Sequence, residues 1–154
     1  DLEEAVTLGR AALELRLPGH PHRAASLYNL ACDLGTRFEK YARMYDLDEV
    51  IELHRAALEL RLSGHPDRSS SLHELALCLS DRYDSQGEVA DLEEAVTLGR
   101  AALELCLPGH PDRASCLRDL AQRLAQHFRH QPIAADLDEA IALEQEALQL
   151  LTPG

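Results

Sequence analysis

Residues 1–21, DLEEAVTLGRAALELRLPGHP, return at 91–111 as DLEEAVTLGRAALELCLPGHP, with Arg16 against Cys106 as the single difference. The opening of that stretch recurs twice more, as Asp46-Leu47-Asp48-Glu49-Val50 and as Asp136-Leu137-Asp138-Glu139-Ala140. The four starts lie 45 residues apart with no insertion between them. Chance does not produce such self-similarity. Duplication does, and it marks an array of one small unit stacked on copies of itself.

Each period reads as two helices. Asp1 followed by Glu4 is a capping-box-like start, in which side-chain oxygens satisfy free backbone N–H groups, and the same pattern opens the other three copies. The stripe Ala5, Leu8, Ala12, Leu13, Leu15 then runs to a stop at Pro18-Gly19. The second helix opens at Pro21, where a missing N–H costs nothing. Its stripe is Leu27, Leu30, Ala31, Leu34 and Phe38. It recurs as Leu72, Leu75, Ala76, Leu79, Tyr83 and as Leu117, Leu120, Ala121, Leu124, Phe128. That spacing is one face of an α-helix. The chain is therefore expected to be all-α, with seven helices paired antiparallel into an α-solenoid. Ala31, Ala76 and Ala121 mark close approaches between helices, where a larger side chain would overpack.

Composition limits the functions available. Net charge is −12 over 154 residues, so a polyanionic nucleic acid or an anionic membrane is a poor partner. No stretch of 18 apolar residues occurs, and no basic-then-apolar leader opens the chain. The sequence starts without Met, inside a repeat, and is read as a piece of something longer. Cys32, Cys78, Cys106 and Cys116 form no Cys-x-x-Cys pair and occupy different repeat positions. They are expected to be small buried or half-buried thiols in a reducing compartment.

Chemistry is hard to assemble from what remains. His20, His65 and His110 recur in Gly-His-Pro turns. Shared metal ligation would need their nitrogens within about 4 Å, whereas stacked helices lie roughly 10 Å apart. They are read as turn and cap residues. His127 and His130 share a helix face but lack a third ligand. Arg23, Arg68 and Arg113 recur at helix starts, and salt bridges to the acid-rich helices are expected of them. Ser69-Ser70-Ser71 has no strand–turn–helix around it, and no phosphate loop, dinucleotide fingerprint or His-Glu-x-x-His occurs. No enzyme activity, metal or cofactor is expected.

Gly64-His65-Pro66-Asp67-Arg68, Ser71-Leu72-His73-Glu74-Leu75-Ala76, Asp91-Leu92-Glu93-Glu94-Ala95 and Ala101-Ala102-Leu103-Glu104-Leu105 together resemble tetratricopeptide repeats of the long kinesin-light-chain type. The likeness is closer still to arrays in mushroom-type fungal proteins that carry a caspase-like CHAT or a nucleotide-binding domain elsewhere. The resemblance spans the chain and implies a single repeat domain, residues 1–154, wound as a right-handed superhelix. In the family's register the Pro-initiated helix is helix A and the Asp-initiated one helix B. A lone helix B, residues 1–17, then precedes three units near 22–62, 67–107 and 112–151. The period exceeds the usual one of about 34 residues. Gly9, His54, Gly99 and Glu144 stand where helix B often carries an aromatic. In the last unit Glu144-Gln145-Glu146 replaces the Gly-Arg-Ala or His-Arg-Ala of earlier copies, a polar outer face suited to a terminal helix.

The resemblance places partner binding on a concave surface lined by helix A. Opposite the core stripe, the copies offer Tyr28, Asn29 and Cys32, then His73, Glu74 and Leu77, then Arg118, Asp119 and Gln122. These positions differ among copies whose core stripes agree. Asn29 matches a family position that often bonds a ligand backbone, while the Lys/Asn set that grips a terminal carboxylate is absent. A protein or peptide of basic or mixed charge is the expected partner, held in the cytoplasm by an interaction scaffold. The alternative is a spacer or self-associating regulatory segment of a larger effector, with no ligand of its own.

Overall fold

The computed structural model describes residues 1–152, so Pro153 and Gly154, the end of the expected repeat domain, lie outside the described residues. Among the described residues there are seven helices and no strand. They are α1 Leu2–Leu15, α2 Arg23–Tyr41, α3 Met44–Leu60, α4 Arg68–Gln86, α5 Val89–Leu105, α6 Arg113–His130 and α7 Ala134–Leu151. This is the all-α, solenoid-type class that the periodicity predicts. The chain divides into two compact units, Asp1–Cys78 and the residues from Leu79 onward, with the boundary inside α4.

In the first unit, Val6 of α1, Leu30, Ala31 and Leu34 of α2 and Val50 of α3 form one buried cluster. Leu13, Leu53 and Cys78 pack against it from the side. Ala31 is wholly buried, as a close-approach position requires. Gly9 permits a second close approach, because a Cβ there would meet Leu30 Cδ1 at 3.2 Å.

The second unit repeats this arrangement with Val96 of α5, Leu117, Leu120, Ala121 and Leu124 of α6, and Ala140, Leu143 and Ala147 of α7. Truncating Leu34 or Leu124 to Ala should cost about 2–5 kcal/mol. The aromatic ends of the stripes, Phe38, Tyr83 and Phe128, are only half-buried, since each sits in its helix's last turns.

The turns explain the recurring Gly-His-Pro. Gly19, Gly64 and Gly109 take φ of +94°, +89° and +94°, which glycine reaches without strain. Each following His closes the turn with its N–H, then accepts through Nδ1 from the N–H two residues on, at 3.1 Å for His20, His65 and His110 alike. These histidines are turn and cap residues.

Two expectations need correction. Asp46, Asp91 and Asp136 do not start their helices: α3, α5 and α7 begin two residues earlier, at Met44, Val89 and Ala134. Only Asp1 caps, accepting from Glu4 N–H at 3.0 Å. The other three carboxylates turn back onto the helix before. Asp46 pairs with Arg37 at 2.9 and 2.7 Å, Asp91 with Arg82 at 2.8 and 2.9 Å, and Asp136 with His127 Nδ1 at 2.6 Å. Burial decides this, because Asp46 is wholly inaccessible and needs a countercharge more than α3 needs a cap.

The salt bridges expected of Arg23, Arg68 and Arg113 give way, in the first two, to another use. All three donate to backbone carbonyls, of Arg16, Arg61 and Cys106, at 2.7, 2.6 and 2.6 Å. A cation there satisfies the end of the preceding helix and complements its dipole. Arg113 alone also pairs with Glu146, at 2.6 Å.

Candidate functional site

The nine helix-A positions fall into two environments. Tyr28, Asn29 and Cys32 on α2 share the first unit with His73, Glu74 and Leu77 on α4. Arg118, Asp119 and Gln122 on α6 belong to the second.

In the first unit the structure turns Tyr28 partly inward. Its ring meets His54 of α3 edge-on, with centroids 5.4 Å apart, and the Arg61 guanidinium carbon lies 4.6 Å above its face. Burial, then Cys32 and the Glu74 carboxylate, push the Tyr28 phenol up to about 12. Burial and Glu74 raise the Cys32 thiol as well. The Glu74 carboxyl is itself raised, by burial against the opposing pull of His73. Tyr28, Cys32 and Glu74 are therefore brought together, Asn29 is exposed, and His73 and Leu77 are half-buried.

The aromatic edge contact depends on His54, which stands where α1 and α5 have Gly9 and Gly99. His54 is 1% exposed and its Nδ1 has no hydrogen-bond partner. Burial, and then the Arg61 charge, lower its pKa to about 4. It is a neutral ring inside the fold.

In the second unit, Arg118, Asp119 and Gln122 line one wall of an open groove of about 940 Å³. The other wall is α7, through Leu137, Ile141, Glu144 and Leu148. Arg118 and Glu144 are the positional equivalents of Tyr28 and His54, so an aromatic pair in the first unit becomes two opposite charges across a groove. Such walls suit an apolar stripe flanked by polar or charged groups.

The apolar content of α7 corrects the reading of a polar terminal face. Ile141 is 49% and Leu148 60% exposed. The equivalents of Leu137 (38% exposed) and Ile141 one period earlier, Leu92 and Val96, are 0% and 7% exposed, and α6 leucines cover Val96. Glu146 does not face outward freely, being half-buried against Arg113. The signal was present in the sequence: Leu137 and Ile141 align with Leu92 and Val96, so α7 keeps the pattern of a helix that receives another.

A family model described as tetratricopeptide repeat matches residues 23–67 and 68–112, more than half of the chain. Among curated proteins none matches it. Similar solved structures include a Podosopora anserina protein described as kinesin-light-chain, nearly identical TPR-like repeats. It is 25% identical with a TM-score of 0.62, over 94% of this chain and 68% of that one. A single-substitution variant of it is similar at 23% identity and a TM-score of 0.63, over 96% and 69% of the two chains. None of the described helices is long and apolar enough to cross a membrane.

Proposed function

The chain belongs to the tetratricopeptide repeat family, whose repeats mediate protein–protein interaction, and from that premise we propose a scaffold that takes a partner on its helix-A faces. One observation supports this most: Arg118, Asp119 and Gln122 line a groove whose far wall holds the exposed Ile141 and Leu148. The occupant that fits is an amphipathic peptide of basic or mixed charge. Its apolar side lies on Ile141 and Leu148, and its cations meet Glu144 and Asp119. The net charge of −12 draws such a peptide in and repels acidic ones.

The same proposal includes the first unit. Asn29 is the exposed donor and acceptor there, His73, Glu74 and Leu77 form the adjoining surface with the half-buried Cys32, and Tyr28 holds that wall through His54 and Arg61. The residues 22–62, 67–107 and 112–151 are the proposed repeat units, and α2–α3, α4–α5 and α6–α7 fall within them. A cytoplasmic setting and a place in a larger fungal effector, beside a CHAT or nucleotide-binding domain, rest on the sequence resemblance.

The test is selection from a displayed random peptide library on the parent and on a Gln122→Lys/Ile141→Lys/Glu144→Lys variant, with helicity checked by circular dichroism. Basic amphipathic peptides enriched on the parent and lost on the folded variant support the groove. No enrichment, or equal enrichment on both, rejects it in favour of the spacer reading.

A further inference from the structure

We propose that Cys106 and Cys116 are a paired thiol site that closes to a reversible disulfide, stapling the end of α5 to the first turn of α6. Their Sγ atoms lie 3.6 Å apart, and the two residues are 2% and 5% exposed.

The pair occupies positions that already face each other elsewhere in the array. Arg16 donates to the Ser26 hydroxyl at 2.7 Å, and Arg61 to the Ser71 hydroxyl at 2.9 Å. In the third copy both members of the contact change together, Arg to Cys and Ser to Cys. Cys106 is moreover the one residue separating 91–111 from 1–21. Replacing Arg alone would leave a buried serine hydroxyl without its donor, a costly state. The double change removes both polar groups and leaves two sulfurs in contact.

The backbone is already held for closure. Arg113 donates to the Cys106 carbonyl at 2.6 Å, which fixes the end of α5 beside the start of α6. From the 3.6 Å contact the sulfurs have about 1.6 Å to close to a bond of about 2.0 Å, an approach that rotation about the two Cα–Cβ bonds contributes to.

The chemistry needs an oxidant, and a small-molecule disulfide suffices. One Cys, as thiolate, attacks a sulfur of the small disulfide and expels one small thiolate. The second Cys loses its proton to solvent and attacks the mixed disulfide at the protein sulfur, expelling the other. Two protein thiols are oxidised by two electrons, and one small disulfide is reduced to two thiols. Burial and the neighbouring Cys106 push the Cys116 thiol up to about 12, so few thiolates exist at neutral pH. The staple therefore sets slowly and faster in alkali. Once formed it fixes α5 against the helix bearing Arg118, Asp119 and Gln122.

The experiment incubates the purified chain with oxidised glutathione at pH 8.5 for a day, against dithiothreitol as control. Intact mass, peptide mapping and thermal unfolding are then read. The expected product has lost about 2 Da with no glutathione adduct, maps to a Cys106–Cys116 link, and melts ~5 °C or more above the reduced chain. A Cys32→Ser/Cys78→Ser variant should give the same product, and Cys116→Ser should not. If both thiols remain alkylatable after unfolding, or either ends as a stable glutathione adduct, the pair is only an apolar filler and the proposal fails.

Discussion

Arg37 and Asp46, nine residues apart, meet through two hydrogen bonds of 2.9 and 2.7 Å across the α2–α3 turn. The arginine also reaches Glu3 of α1 at 2.8 Å, so one guanidinium ties three helices. Because Asp46 is fully buried, Arg37→Ala leaves an uncompensated charge and should cost about 3–5 kcal/mol. Arg10, paired with Glu49 in a more exposed place, should cost less than about 1 kcal/mol when replaced by Ala. Urea denaturation of the two variants checks the contrast, and equal costs would refute it.

The architecture was legible because the constraints that set it are periodic. Leu30, Leu34 and Ala31 repeat every 45 residues, and their burial needs no knowledge of distant partners. Asp46 was not legible in the same way. An acid near a helix start reads as a cap, and only the buried depth of the α2–α3 turn reveals that its partner is Arg37. Tyr28 lies off the core stripe, yet the imidazole of His54, standing where α1 has Gly9, gives its ring an edge to pack on. Cys106 and Cys116 looked unrelated because each repeat position was read separately, whereas the contact joins two of them.

His54 predicts an acid sensitivity. In the unfolded chain its imidazole titrates near the ordinary 6.5, and in the fold, by burial and the Arg61 charge, near about 4. Between those pH values the unfolded state binds a proton that the folded state refuses. The contribution is complete above about pH 6.5 and is lost as pH falls, to a total on the order of 3 kcal/mol. Denaturation of the parent and of His54→Gln at pH 7.5 and pH 4.5 reads this directly. The gap between the two proteins should move in favour of the variant at the lower pH, and a gap that stays constant would show that His54 does not titrate between them.

The α7 face predicts where truncation is tolerated. Val96 and Ile141 are equivalent positions, but Val96 is 7% exposed beneath α6 and Ile141 is 49% exposed. Val96→Ala should cost about 2 kcal/mol, from lost burial and the cavity left behind. Ile141→Ala should stay within about 0.5 kcal/mol of the parent. If Ile141→Ala proves as damaging as Val96→Ala, α7 is covered in solution and its face is not free to receive a partner.

Ala42 ends α2 in the left-handed region, at φ 53° and ψ 35°, and its N–H closes onto the Phe38 carbonyl at 2.7 Å. The equivalent position one period on is Gly87, at φ 75°, with its N–H on the Tyr83 carbonyl at 2.7 Å. A Cβ is strained in that region and a glycine is not, so the second copy holds the residue that its backbone demands. Ala42→Gly should therefore stabilise the chain by about 0.5–1 kcal/mol, even though glycine gains entropy in the unfolded state. Gly87→Ala should destabilise it by a similar amount or more. The two substitutions run in opposite directions at one register position, so thermal unfolding of the pair separates backbone strain from any general effect of glycine. If Ala42→Gly lowers the melting temperature, the unfolded-state entropy outweighs the strain at this cap.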